Sequence, residues 1–217
     1  MLERYLESLR TDDPGAEAPA ATRERLKPRF APGAARRMTL LGMMVGASLH
    51  ELLGPADDSI VYSSSFGEGT ALEGFLESFP TPSPTLFQTS IHPSAAQQAL
   101  IGRQRALPEL LPLAGGPELV AQAALAALLA PAERVLWCGG EERGTWLREA
   151  GLASDRSFAF ALALTRARPA APLARLALEI SDQPGALALP AWFDLLHARR
   201  AWSGAAGGGW HLRLEWL

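Results

Sequence analysis

Between Ser59 and Glu142 the signals for strand and helix take turns, with glycine or proline at most of the changes, and this alternation constrains the fold more than any other feature. Ser59 to Ser63 (SIVYS) is β-branched and aromatic and predicts a buried strand. Gly67 and Gly69 provide a tight turn into a helix carrying Leu72, Phe75, Leu76 and Phe79. Pro80, Pro82 and Pro84 predict an extended connection before Leu86 and Phe87. The chain turns again at Ser90-Ile91-His92-Pro93, where Pro93 suits the first position of a helix running through Ala95, Ala96, Ala99, Leu100 and Ile101. Leu107 to Leu113 is apolar but interrupted by Pro108 and Pro112, which cannot donate to a ladder, so this strand is expected at a sheet edge. After Ala114-Gly115-Gly116 comes a helix made largely of alanine. Its small side chains predict close packing, in a crowded centre or at a subunit contact. Arg134 to Cys138 reads as a further buried strand stopped by Gly139-Gly140, with Glu141-Glu142 as solvated loop charge. Such alternation is the pattern of an α/β sheet.

The flanking segments extend this plan. Met38, Leu41, Met44, Val45, Leu49, Leu52 and Leu53 are spaced for an amphipathic helix ending at Gly54-Pro55. Beyond the acidic pair, Phe158 to Leu164, Leu176 to Ile180 and Trp210 to Trp216 alternate with a period of two and predict strands, with a helix from Pro190 to Trp202 and a flexible Gly204 to Gly209 loop between the last two. At the other end, Leu2, Tyr5, Leu6 and Leu9 have helical spacing, and Thr11 to Thr22 reads as linker. The expected organisation is an N-terminal helix and linker over 1–33 and a single domain over 34–217. Its sheet is expected to be mixed, of about five strands, with helices on its flanks.

A net charge of −3 leaves no basic footprint for nucleic acid. One cysteine excludes an internal disulfide, and no apolar run approaches the roughly 20 residues of a membrane span, so a cytoplasmic location is expected. The four histidines, at 50, 92, 197 and 211, have no ligand spacing, so no metal site is expected. His92, next to a helix start, is a candidate acid, base or interface residue. Cys138 is a possible reactive thiol whose default is a buried structural one. No Walker loop or nucleophile elbow is present, and Ser63 to Ser65 lack the leading glycine of the latter.

The run SSSFGEGTALEGFLESFP, the phrase SPTLFQTSIHPSAAQQALIGRQ, the segment LPELLPLAGGPELVAQAALAAL and the strand RVLWCGG together resemble the β-ketoacyl synthase N-terminal-like family. That family includes small chain-length-factor proteins of aryl polyene type pathways. The resemblance covers about Arg36 to Leu217 and implies a thiolase-like half fold that pairs with a ketosynthase in fatty acid or polyketide-type biosynthesis. The pair would meet an acyl carrier protein and shape the tunnel that holds the growing acyl chain. No cofactor is implied. In active relatives a nucleophilic cysteine opens the alanine-rich helix, where this chain has Leu113, Ala114, Gly115, Gly116 and Pro117. None of these can form a thioester. The resemblance therefore implies a subunit with no catalysis of its own, with His92, Leu110, Leu113, Ala114, Gly115, Gly116 and Leu119 at the interface and tunnel. Two other readings remain at this point. One is an acyl-thioester transferase or hydrolase using Cys138 or Ser63 to Ser65 with His92; the other is a homodimeric acyl-binding scaffold.

Overall fold

The computed structural model describes residues 1–54, 59–91, 93–102 and 109–217. Its strands are β1 (Leu2–Asp12), β2 (Ser59–Ser64), β3 (Glu109–Ala114), β4 (Arg134–Glu141), β5 (Phe158–Thr165), β6 (Ala174–Ile180), β7 (Trp202–Gly207) and β8 (Trp210–Trp216). They form one eight-stranded sheet in the order β3-β2-β4-β5-β1-β6-β8-β7. β3, β2 and β4 run parallel, and every later pairing is antiparallel. The helices are α1 (Pro19–Leu26), α2 (Pro32–Ala35), α3 (Leu40–Leu52), α4 (Gly69–Glu77), α5 (Pro84–Ser90), α6 (Ser94–Gly102), α7 (Leu119–Leu129), α8 (Trp146–Glu149) and α9 (Leu189–His197). Among the described residues no helix is long and apolar enough to cross a membrane.

The sequence of β5, FAFALALT, decides how the layers pack. Successive side chains of a strand point to opposite faces. Phe158, Phe160, Leu162 and Leu164 enter a core with α7 and α9, whereas Ala159, Ala161 and Ala163 face α3 and α6. On the large-residue face Trp137 stacks on Trp192, with ring centroids 5.1 Å apart, and its indole Nε1 donates to Ser63 Oγ at 2.9 Å. On the small-residue face α3 lies close to the sheet and is buried on almost every side. A Cβ added at Gly46 would stand 3.2 Å from the Ala99 methyl, so glycine there sets how closely α3 and α6 approach.

The expected N-terminal helix is instead a strand with neighbours on both sides, β5 and β6. Its helical spacing has a local cause. Leu2 and Leu6 share one face by alternation, and an irregularity between Leu6 and Ser8 shifts the register so that Leu9 joins them in the α7 core. Part of the expected linker folds as α1. Arg4 lies on the same face as Leu6, fully buried. Its guanidinium donates to the carbonyls of Ala130 at 2.7 Å, Ala132 at 2.9 Å and Glu133 at 2.9 Å, tying β1 to the turn between α7 and β4.

Other expectations also change. The sheet has eight strands rather than about five, because β1 joins it and the glycine-rich segment expected as a loop supplies β7 and a tight turn, with Gly207, Gly208 and Gly209 all at positive φ. The helix expected to reach Trp202 stops at His197, and Arg199 takes a left-handed φ of 48°. The extended connection expected before Leu86 and Phe87 ends sooner, because α5 begins at Pro84: Pro84 occupies the first turn and Ser83 caps it by accepting from the Leu86 amide at 3.3 Å. Gly139-Gly140 continue β4 instead of ending it. A Cβ at Gly139 would lie 2.2 Å from the Ser63 carbonyl oxygen and one at Gly140 2.3 Å from that of Phe158, so these glycines let neighbouring strands come close. The expectations for His92, Leu107 and Pro108 lie outside the described residues.

Arg4→Ala removes the donor to these backbone carbonyls and is expected to cost about 3 kcal/mol, measured by urea denaturation. A change below about 0.5 kcal/mol would show that the guanidinium does not anchor β1.

Candidate functional site

The link from β3 to α7 holds the residues where the sequence resemblance implies an active relative's nucleophile. Leu113 is half-buried, Ala114 and Gly116 are exposed, and no thiol or hydroxyl stands between Leu113 and Glu118. Leu110 packs towards α3 and α6, and Leu113 packs towards α7, on the opposite face of the sheet. Leu119 is 1% exposed and belongs to the core beneath α7. The β7–β8 turn seats on the start of α7: a Cβ at Gly207 would come within 3.2 Å of Glu118 Cα.

The other nucleophile candidates, Cys138, Ser63 and Ser64, lie in buried surroundings. Cys138 is fully buried on the α3 face, and burial pushes its thiol up to about 12, far from the thiolate that nucleophilic attack requires. Ser63 Oγ accepts from Trp137 in the core, and Ser64 Oγ donates to Glu141 at 3.0 Å while accepting from the Gly67 amide at 2.8 Å. His50 bonds the Ala99 carbonyl, His197 bonds Thr11 and His211 bonds Ser203, so none of these reaches Cys138 or the serines. Cys138 therefore offers the transferase or hydrolase reading no reactive thiol, and the His92 that this reading invokes lies outside the described residues.

Glu141 and Glu142 are not solvated loop charges. They are 1% and 3% exposed and, with Glu68 and Glu73, organise the loops at the ends of β2 and β4. Glu142 accepts from the Leu41 amide at 3.2 Å and the Thr70 amide at 2.9 Å, so one carboxyl serves the first turns of both α3 and α4. Glu68 accepts from the Ala95 amide at the start of α6, and Glu73 from the Thr145 and Leu147 amides at the start of α8, at 2.7 and 2.9 Å. Glu141 accepts from the amides of Ser65 and Phe66 beyond β2. Amides at helix starts lack intrahelical partners and carry partial positive charge, which is why carboxyls occupy these positions. Burial nevertheless raises Glu68 and Glu141 from 4.5 to about 7 and also raises Glu142, with the amide donors pulling the other way. Sequence reasoning missed this cluster because adjacent glutamates after a strand look solvated until the surrounding helix starts are placed.

The two ends of the sheet differ. The outer edge of β7 is approached by the segment before α9, where the Leu187 amide donates to the Ala206 carbonyl at 3.4 Å and Gly185 packs on Ala205. β3 has one pairing, with β2, among the described residues. Apolar side chains stand uncovered on the two helices flanking this end: Ile101 of α6 is 73% exposed and Leu129 of α7 is 56% exposed. Along α7, Leu125 and Ala126 continue the partly exposed stripe to Leu129. α5 buries none of its residues and presents Phe87, whose ring meets that of Phe75 at 5.3 Å.

No protein-family model matches the chain, and no curated protein matches it. Among solved structures it is similar to a chain of the ketosynthase ApeO in complex with its chain length factor ApeC from Xenorhabdus doucetiae. The two are 18% identical with a TM-score of 0.72, covering 99% of this chain and 100% of that one. It is also similar to the ishigamide ketosynthase/chain length factor, at 13% identity and a TM-score of 0.56, covering 84% of this chain and 68% of that one. The chain has the ketosynthase-like, thiolase-type fold that its sequence resembles.

The raised carboxyls set a pH dependence. A carboxyl whose folded value exceeds its unfolded one makes the folded state bind more protons between those values, so stability falls as pH rises from 4.5 to about 7. Urea melts across this window are expected to show a flatter profile for Glu141→Gln than for the parent; identical slopes would refute the assignment. Native Cys138 is expected to resist iodoacetamide at mildly alkaline pH and to react fully once the chain is unfolded, as read by intact mass. Rapid native labelling would return Cys138 to the list of reactive groups.

Proposed function

We propose that the chain is a non-catalytic β-ketoacyl synthase-like subunit, a chain length factor, that pairs with a separately encoded ketosynthase in fatty acid or polyketide-type biosynthesis of the aryl polyene kind. The observation that carries this reading is an elbow without a nucleophile beside a sheet edge left open, among the described residues, within a ketosynthase-like fold. A chain that cannot form a thioester can still contribute surface, and here the uncovered surface is apolar and contiguous with an edge strand. The similarity across the whole chain to a component of a ketosynthase and chain length factor complex supports the same partner.

In this reading the β3 edge extends the sheet towards the ketosynthase. Leu110, Leu113, Ala114, Gly115 and Gly116 lie along the shared boundary with His92, and α5 presents Phe87 towards the acyl tunnel. Side-chain bulk at that boundary limits the length of the chain the ketosynthase builds. The acyl carrier protein meets the assembled pair, and the chemistry resides in the partner. A homodimeric scaffold would use the same edge but would need no ketosynthase, which makes partner identity the deciding measurement.

Co-expression with a candidate ketosynthase is expected to give a heterodimer by size-exclusion chromatography with light scattering. Ile101→Glu together with Leu129→Glu places charge at positions already exposed in the isolated chain. The double variant is expected to change stability by no more than about 0.5 kcal/mol while weakening pairing by about tenfold or more. Phe87→Ala is expected to shift the product length of the reconstituted pair. Isolation of the chain as a monomer or homodimer that neither binds a ketosynthase nor alters product length would overturn the reading.

A further inference from the structure

The turn from β2 into α4 reads Gly67-Glu68-Gly69, with Gly67 at a left-handed φ of 64° and Glu68 directly before the first residue of α4. Glu68 is 1% exposed, and its carboxyl crosses to the start of α6, where Oε1 accepts from the Ala95 amide. Hydrogen-bond donors are shared unequally among the buried carboxyls here. Glu141 accepts from the Ser65 amide on one oxygen and from the Phe66 amide and Ser64 hydroxyl on the other. Glu142 likewise has the Leu41 amide on one oxygen and the Thr70 amide on the other. Glu68 differs: its Oε2 is buried and has no hydrogen-bond partner among the described residues.

Ionised, Glu141 and Glu142 keep a donor on each oxygen, whereas Glu68 carries charge on a bare one. A buried charge without a donor costs more than one that is hydrogen-bonded, so the strain of ionisation falls on Glu68. Burial, and then the charges of Glu142 and Glu141, raise it from 4.5 to about 7. Other groups bear on the same space. Tyr62 of β2 is pushed well above 10 by burial and then by Glu68, and burial takes Cys138 of β4 to about 12, so neither titrates near neutrality. Arg23 of α1 favours charge on Glu142, and Glu73, further along α4, accepts from amides at the start of α8. On the α3 side of α6, His50 bonds the Ala99 carbonyl at 2.9 Å. His92, which precedes α6 in the chain, lies outside the described residues.

We propose that Glu68 is a proton-operated latch on α6. Protonated, it holds the first turn of α6 against the β2–α4 turn; on losing its proton to solvent it swings towards water about Gly67 and frees that turn, while Glu142 keeps α3 and α4 tied. Because the folded value lies above the unfolded one, the latch is fully closed below 4.5 and weakens as pH rises through about 7. All its groups belong to one chain, so it stands apart from the subunit reading. α6 also carries the exposed Ile101, so opening alters the surface beside β3.

The test is hydrogen exchange of the full chain at pH 5.5 and 8.0, resolved to single amides by NMR and corrected for intrinsic exchange rates. The Ala95 amide is expected to lose about tenfold or more of its protection at pH 8.0. The Leu41 amide and those of α7 are expected to change by less than about threefold, which separates a local latch from a general loss of stability. Glu68→Gln keeps an acceptor for Ala95 but cannot ionise, and is expected to hold Ala95 protection level across the same interval. His50→Gln and His92→Gln are expected to retain the parent's pH dependence. In the unsubstituted chain the Glu68 carboxyl carbon shift is expected to inflect near 7, a readout that needs no variant to fold. Protection of Ala95 that is flat with pH in the parent, an equal loss throughout α7, the same loss in Glu68→Gln, its disappearance in either histidine variant, or an inflection near 4.5 would overturn the proposal.

Discussion

The pairing of β1 on both its sides is the constraint on which the rest of the structure depends. β1 lies between β5 and β6, and without it the sheet separates into β3-β2-β4-β5 and β6-β8-β7. The first group carries α3, α6 and the nucleophile-free elbow, and the second carries the hairpin that seats on the start of α7. Arg4 reinforces the junction by filling the carbonyls of the α7–β4 turn from within the core. A buried arginine is costly to desolvate, but here its donors are met by three backbone carbonyls, two of which, those of Ala130 and Glu133, also accept from Arg166.

A second set of buried charges works at the other end of the strands. Glu68, Glu73, Glu141 and Glu142 hold the starts of α3, α4, α6 and α8 and the turn after β2. Each carboxyl meets amides with no intrahelical partner, so desolvation is partly offset by hydrogen bonding and by the helix dipole. This scaffold fixes the base of α4, against which α5 leans with its apolar residues uncovered. The elements at this end of the sheet are thus held together by buried carboxyls.

The sheet ends show why the proposed partner side is β3. β7 ends in glycines at positive φ and is approached by the chain before α9, whereas β3 lies between helices whose outer residues are Ile101 and Leu129. An open edge is an aggregation hazard unless it is blunted or used. Pro112 blunts it only in part, since it removes one donor and leaves the apolar flanks in place.

The local pattern was enough for much of this. The β-branched and aromatic run SIVYS and the alternation in FAFALALT and WHLRLEW placed strands correctly, the prolines around β3 put it at an edge, and the absence of cysteine from the elbow was plain from residue identity. Each is a property of a few consecutive side chains. What only the tertiary structure decided involved residues far apart in the chain. Leu2, Leu6 and Leu9 suit a helix until β5 and β6 supply partners and a bulge shifts the register. Gly139-Gly140 look like a stop until neighbouring carbonyls press against them, and Glu141-Glu142 look solvated until helix starts surround them. Periodicity records which face a side chain prefers, whereas the partner on that face is set by packing, and packing is where the sheet order was determined.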